Sequence, residues 1–550
     1  MPHHALGERR DYWNRIKNYE NFNRFYIFFT DFKLYANIFV EKFNINTCLF
    51  NKKINSYFKN LKHTPMSGYK KALSLASYSK NVLNAQYAPR GAIITRSVEI
   101  RNEIERGLKH PFSELTELNV GNPHTFSGSK PVTFFREVLA VMMSPATLMQ
   151  NETISQDVRN RAAFYLDTFK SMGSYTDSPG NPVVLKHIAE FITARDDGIV
   201  CDPANLFLTN GASEGIARMM TQLAAHDKVG FMVPVPQYPL YSAQVALLGT
   251  RFCGYYLDED KNWDITPADL KKTYDDAKLE GTDMRCIVVI NPGNPTGQIL
   301  DTESIQGILK FAHERNLMVF ADEVYQDNIW ADKKWVSFRE VLKKMPAPYC
   351  DDVELVSFHS ASKGFMGECG MRGGYVDLVN CDPIVNQMMT KTAGISLCSN
   401  TTGQVVMDLK VNPPSAKMGE SLETIQKYET ESGNLTASLK RRADAVTIAL
   451  NQMENVSSNP VEGSLYALAK IDFSDKFIAE AAAKNVAPDF LYCMKVLENT
   501  GCILVPGSGF YQKPGTHHFR TTILPLPEER FYKTFDKLKA FNKDFHAGNI

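Results

Sequence analysis

The stretch SFHSASKGFMGECGMRGGY, residues 357–375, decides how this chain is read. A strand-like run ends near a lone lysine, Lys363, which sits among serines and glycines, and Arg372 follows nine positions later. A solvated amine on a surface loop is the plain explanation. A reactive amine is the sharper one, and its surroundings have to choose between them.

Working outward, short β-rich runs alternate with longer helical ones. Strands are predicted at NLFLTN (205–210), KVGFMV (228–233), RCIVVI (285–290), NLMVFA (316–321) and VELVSF (353–358). Helices are predicted between them, for example over 211–226 and 302–316. This alternation reads as βαβ units building a mostly parallel sheet. In such sheets ligands sit beyond the carboxyl ends of the strands. Here those ends carry NGAS, VPQYP, NPGNPTG, DEVY and HSASK. Each is weak alone; together they describe a site.

Asp322 ends an apolar run, so its charge is expected to be buried and paired. The plain reading is a helix cap or a partner for a nearby arginine; the functional one is a carboxylate that keeps a pyridine nitrogen protonated. Tyr325 is either core packing or a donor to a phenolate oxygen. In NPGNPTG the prolines fix φ and the glycines permit unusual backbone, which gives Asn294 a fixed direction toward a ligand or merely makes a turn. GASEG (211–215) joins strand to helix, where free N–H groups carry partial positive charge. Ala212 and Ser213 are therefore candidates for a phosphate site, with an ordinary helix N-cap as the alternative. Tyr238, between prolines, suits a ring that lies flat on another ring; loop packing is its plain reading. Ser360, Ser362 and Arg372 around Lys363 suit a dianionic phosphate. Nearby cations favour the neutral form of an amine, and a neutral amine attacks an aldehyde. An aldehyde that also carries a phosphate is pyridoxal phosphate.

NPGNPTG, ADEVYQDN, SFHSASKGFMGECGMRGGY, PGSGF (506–510) and HFRTTILP together resemble the fold-type I aminotransferases, and within them the alanine aminotransferase group, over roughly residues 70–550. The resemblance implies an α/β fold, with a mostly parallel seven-stranded sheet in a large domain and a smaller α+β domain. It implies that Lys363 is the Schiff-base lysine and proton shuttle. Asp322 would pair with the pyridine nitrogen, and Tyr325 and Asn294 would contact the ring oxygen. Ala212, Ser213, Ser360 and Arg372 would hold the phosphate, and Tyr238 would stack on the ring. Arg520 would grip the substrate carboxylate, Gly121 would belong to a loop that closes over substrate, and Tyr175 (in GSYTDSPG) would reach the phosphate of a second subunit in a homodimer. The implied reaction is ping-pong transfer of the amino group from L-alanine to 2-oxoglutarate, giving pyruvate and glutamate. Residues 122–130 (NPHTFSGSK) and 397–404 (LCSNTTGQ) depart from the family pattern. Neither is expected to touch the cofactor constellation, but both are placed to alter substrate choice.

The bulk composition agrees. The 550 residues are 44% hydrophobic and 22% charged with zero net charge, which gives no signature of a nucleic-acid or membrane partner. None of the ten cysteines forms a C-x-x-C pair, against a zinc ribbon or disulfide framework and for a reducing compartment. The most apolar candidate span, 22–43, is interrupted by Arg24, Asp31 and Lys33 and is rejected as a membrane helix. Residues 1–65 are expected to be a disordered or non-native extension, and 66–89 an arm or targeting segment. Residues 90–154 are expected to begin the small domain, 155–415 to form the cofactor domain, and 416–550 to complete the small domain. Cytoplasm and mitochondrial matrix both remain open. No metal is expected. Three readings compete with alanine transamination: a glutamate–glyoxylate or aromatic aminotransferase, a pyridoxal-phosphate-binding regulator, and a catalytically dead scaffold. The regulator would need a basic helix-turn-helix, which residues 1–65 lack. Retention of Lys363, Asp322 and Arg520 together speaks against the scaffold.

Overall fold

A computed structural model describes residues 72–87, 91–126 and 128–550. The expectation of disorder over 1–65 and the rejected span at 22–43 lie outside the described residues. The chain divides into two units, Met1–Tyr78 with Ala483–Asn485, and Ser79–Ala482 with Val486–Ile550. In the first, a 3-10 turn at Leu75–Ser77 is closed by Ser77 Oγ accepting the Ser74 N–H at 2.8 Å. Among the described residues, the second unit carries the strands and the candidate site.

In chain order the strands are β1 (Thr116–Glu117), β2 (Leu206–Asn210), β3 (Val229–Val235), β4 (Arg251–Tyr256), β5 (Asp283–Ile290), β6 (Met318–Asp322), β7 (Leu355–Ser360), β8 (Gly373–Val379), β9 (Val456–Ser458), β10 (Tyr466–Ile471), β11 (Cys502–Ile503), β12 (Val505–Pro506) and β13 (His518–Thr522). β2 to β8 form a seven-stranded sheet in the order β2-β8-β7-β6-β5-β3-β4. Strands β7, β6, β5, β3 and β4 are parallel, whereas β8 runs antiparallel to both its neighbours. The mostly parallel α/β sheet expected from the sequence is present.

The central strands read as unbroken apolar runs because both faces are covered. On β5, Cys286, Val288 and Ile290 pack into one core and Ile287 and Val289 into the other. On β6, Met318 and Phe320 join the first core, and Val319 and Ala321 the second. The helices obey local rules. Thr302–Arg315 starts where Asp301 Oδ1 accepts the Ser304 N–H at 2.8 Å and stops at Asn316 in left-handed backbone.

Two strands of the sheet were not foreseen. β4 lies on the sheet edge and is half exposed, so its apolar signal is diluted. β8 opens with Gly373 and Gly374, poor strand formers that are needed here for close approach. A Cβ at Gly374 would lie 2.7 Å from the Gly211 carbonyl carbon and 2.8 Å from the Ala212 nitrogen.

A second, antiparallel sheet has the order β12-β13-β10-β9, with Leu468 opposite Arg520 and Tyr466 opposite Thr522. β1 pairs in parallel with β11. Around these lies a third core that includes Leu450, Leu465, Phe519 and Phe531, and the helix Leu422–Asn451 packs along it. Among the described residues no helix is long and apolar enough to cross a membrane, and no cluster of side chains could hold a metal ion. Each described cysteine is a free thiol.

Candidate active site

The sheet topology explains why distant motifs meet. β3, β5, β6 and β7 are parallel, so VPQYP, NPGNPTG, DEVY and HSASK leave the sheet at one edge. β2 runs the same way across β8, which delivers Gly211 there too. Because β8 runs the opposite way, that edge receives its beginning, and Arg372 arrives beside Gly211.

That corner is built for an anion. The helix Ala212–Leu223 starts from Gly211 at φ 77°, a conformation glycine adopts without strain. A Cβ there would collide with the Arg372 guanidinium. Arg372 Nη2 donates to Ser213 Oγ at 3.2 Å and to the Asn210 carbonyl at 2.8 Å, and its Nη1 donates to the Cys369 carbonyl at 2.9 Å. A guanidinium, a hydroxyl and a helix N-terminus thus converge. Ser360 is buried nearby in chain, where its Oγ accepts the Ser362 N–H at 3.3 Å.

Asp322 is only 3% exposed. Its Oδ2 accepts the Tyr241 hydroxyl at 2.8 Å, and Oδ1 accepts the Val324 N–H at 3.4 Å. No cation lies within ion-pair distance among the described residues. Burial pushes its carboxyl up to about 6, against the lowering pull of Tyr241, the Val324 N–H and Lys363. A buried carboxylate held by neutral donors is short of one cationic partner, and a protonated ring nitrogen supplies that. Sequence reasoning missed Tyr241. Its position three residues after Tyr238 at a helix start was the available signal.

Lys363 Nζ donates to the Gly121 carbonyl at 2.8 Å and lies 5.5 Å from the centre of the Tyr325 ring. The turn after it is fixed by Gly364, at φ 77°, whose N–H donates to Asn328 Oδ1 at 2.8 Å. Asn294 and Arg520 meet directly, with Arg520 Nη1 donating to Asn294 Oδ1 at 3.2 Å and Nη2 to the Asn119 carbonyl at 2.6 Å. Arg520 Nε is buried without a hydrogen-bond partner, so the guanidinium retains capacity for a carboxylate. Its carbon lies 4.0 Å over the Tyr466 ring and 4.7 Å from that of Phe510, contacts that desolvation strengthens to about 2 kcal/mol each.

Tyr238 is half-buried and its hydroxyl pairs with that of Tyr87 at 3.0 Å. Tyr175 is not gathered in; it is 76% exposed on the loop before the helix Pro182–Arg195. Tyr466 and Tyr87 also escaped sequence reasoning. Tyr466 follows SL in a strand whose pairing with the Arg520 strand no local pattern reveals.

The expectation that 122–130 and 397–404 stand clear of the constellation needs correcting. Asn400 Nδ2 donates to the Arg372 carbonyl at 3.1 Å and to Asn210 Oδ1 at 2.8 Å. One His124 ring nitrogen, Nε2, lies 3.0 Å from the Met366 carbonyl in the Lys363 loop. Both segments touch the backbone that carries cofactor-site residues. The anion corner, the cation-deficient Asp322 and the Lys363 amine fit pyridoxal phosphate.

Residues 117–530 match the sequence model of aminotransferase class I and II. Alanine aminotransferase 2 of Xenopus laevis is 41% identical over 479 residues, 86% of this chain and 87% of that one. Alanine aminotransferase 1 of Homo sapiens is 39% identical over 481 residues, 86% and 95% of the two chains. A probable mitochondrial alanine aminotransferase of Dictyostelium discoideum is 42% identical over 489 residues, 87% and 90%. Among solved structures, an alanine aminotransferase from Pyrococcus furiosus superposes with a TM-score of 0.66 at 24% identity, over 85% of this chain and 100% of that one. A tyrosine aminotransferase from Leishmania infantum gives 0.64 at 15% identity, over 86% and 99%. Similar scores for different substrates mean that these two likenesses speak for the fold alone. The chain belongs to the class I and II aminotransferases, pyridoxal-phosphate-dependent enzymes that pass an amino group between small amino acids and keto acids.

Proposed function

We propose that this chain transfers the amino group of L-alanine to 2-oxoglutarate, giving pyruvate and L-glutamate in two half-reactions at one site. The observation that carries the reading is that the Lys363 amine bonds the Gly121 carbonyl and the Arg520 guanidinium the Asn119 carbonyl of the same short loop, at the sheet end that also bears the Arg372–Ser213 anion corner. The alanine aminotransferase names of relatives about 40% identical support the substrate pair.

Pyridoxal phosphate, when bound, supplies an aldehyde that takes the amino group and a ring that accepts the electron pair left at Cα. In this reading Ala212, Ser213, Ser360 and Arg372 hold its phosphate. Asp322, as carboxylate, faces the ring nitrogen and keeps it protonated. Tyr325 and Asn294 would hold the ring oxygen, and Tyr238 would hold the ring face. Arg520 grips the substrate carboxylate, where a bidentate charged partner replaces a neutral carbonyl, and the Gly121 loop excludes water. Lys363 Nζ would take the Cα proton of the bound amino acid and hold it for return within the site. The keto acid leaves before the second substrate binds, so kinetics are ping-pong.

A large cofactor domain over 155–415 and a small one from 90–154 with 416–550 suit the separate sheets. A homodimer gives the exposed Tyr175 a partner phosphate to reach. Cytoplasm and mitochondrial matrix both suit an enzyme with these substrates, and the Dictyostelium relative is named mitochondrial. The test of function is pyruvate formation from L-alanine in the presence of 2-oxoglutarate. Turnover with an aromatic amino acid or glyoxylate, and none with alanine, would replace the substrate pair and keep the chemistry.

A further inference from the structure

Tyr466 stands between the two cations that the proposed reaction uses. It opens β10 directly across from Thr522, two residues beyond Arg520 on β13, and is 4% exposed. Its ring lies under the Arg520 guanidinium, 4.0 Å from centroid to carbon. Its hydroxyl occupies the space beside Gly121, where an added Cβ would collide with it and would stand 3.1 Å from Lys363 Nζ. The hydroxyl and the amine therefore crowd the same face of Gly121, whose carbonyl holds that amine. The Tyr325 ring stands edge-on at 6.1 Å between centroids, and the two phenols act on each other's charge.

We propose that Tyr466 is a positioning residue for this reaction. Its ring seats Arg520 for the substrate carboxylate, and its hydroxyl, together with that of Tyr325, sets the direction of the Lys363 amine. The inference rests on the function proposed above.

Electrostatics agree. Burial raises a phenol, but the Lys363 and Arg520 cations and the neighbouring Tyr325 hydroxyl outweigh it, and Tyr466 falls below the ordinary phenol value. The Cys369 thiol opposes this shift. Tyr325 moves the other way, well above the ordinary value, through burial first and then the charge of Tyr466. Of the pair, Tyr466 is the one poised to give up a proton.

Two variants separate the two roles. Tyr466→Phe keeps the ring and removes the hydroxyl; Tyr466→Leu removes both. The Phe variant is expected to keep both KM values within about twofold and to lower kcat roughly ten- to hundred-fold, less than the roughly hundred- to ten-thousand-fold of a group that itself transfers the proton, because Tyr466 acts through Lys363. The Leu variant is expected to raise KM for L-alanine and 2-oxoglutarate together by roughly ten- to thirty-fold, the worth of a desolvated cation–π contact. A second readout needs no turnover. Titration of the near-ultraviolet tyrosinate band of cofactor-free protein should show one phenol ionising below the ordinary value, and Tyr466→Phe should remove it. Wild-type kcat with an unchanged tyrosinate titration in Tyr466→Phe overturns the hydroxyl role. A Leu variant whose KM matches that of the Phe variant overturns the ring role. Lys363→Ala is measured beside them: if it keeps activity, the proposed function fails, whereas an inactive Lys363→Ala with an unaltered Tyr466→Phe fails only this inference.

Discussion

Asp322 carries a testable cost. Burial holds its carboxyl near 6 rather than at the ordinary 3.8. Between those values the folded protein binds more protons than the unfolded chain, so stability falls as pH rises through that window and stays lowered above it. A shift of about two units corresponds to roughly 3 kcal/mol, and Tyr241 can still donate to the oxygen of a neutral amide. Cofactor-free Asp322→Asn is therefore expected to be more stable than wild type at pH 8, by on the order of 1–3 kcal/mol, with the gap closing as pH falls below about 6. Denaturant melts at two pH values check this. In the loaded enzyme the same change should lower kcat at least hundred-fold, since a neutral amide cannot keep a ring nitrogen protonated.

At the scale of elements, β8 links the sheet to the anion corner. Gly374 is the tight point, since a methyl there meets backbone of Gly211 and Ala212 rather than a movable side chain. Gly374→Ala is expected to cost about 1–3 kcal/mol in the cofactor-free protein. It should also weaken pyridoxal phosphate binding at least ten-fold, because the helix N-terminus is pushed out of line with Arg372. Thermal melts and cofactor titration read the two effects. β8 also marks where the sequence stops being legible. The central strands were readable because two covered faces write a continuous apolar run, and the strand-end motifs because glycine, proline and acids there have few other uses. β8 hid behind its glycines and β4 behind its exposure. Tyr241 and Tyr466 hid for a different reason. Each acts through a partner far away in the chain, Asp322 or Arg520, and a side chain's local spacing does not record which strand its own lies beside. The segment 397–404 misled in the same way, because its hold on Arg372 runs through backbone carbonyls that any sequence possesses.

At the scale of the molecule, the exposed Tyr175 is the feature a single chain leaves unused. An exposed tyrosine without partners contributes little, so Tyr175→Ala should change the melting free energy of cofactor-free protein by no more than about 0.5 kcal/mol. If Tyr175 serves a neighbouring subunit, the variant loses cofactor affinity several-fold while remaining dimeric by sedimentation. Unchanged affinity would remove Tyr175 from the site and leave the rest of the constellation standing. Fold alone does not select the substrate, since structures named for alanine and for tyrosine superpose equally well. Relatives about 40% identical are what point to alanine.

The proposed reaction turns on the Lys363 amine. The most direct measurement is the absorbance spectrum of the cofactor-loaded protein before and after L-alanine, with Lys363→Ala alongside. Alanine is expected to shift the cofactor's long-wavelength band to shorter wavelength in the wild type, 2-oxoglutarate to restore it, and the variant to make neither change at a comparable rate. A variant that converts as fast as wild type, or a wild type that takes up no cofactor, would contradict that reaction.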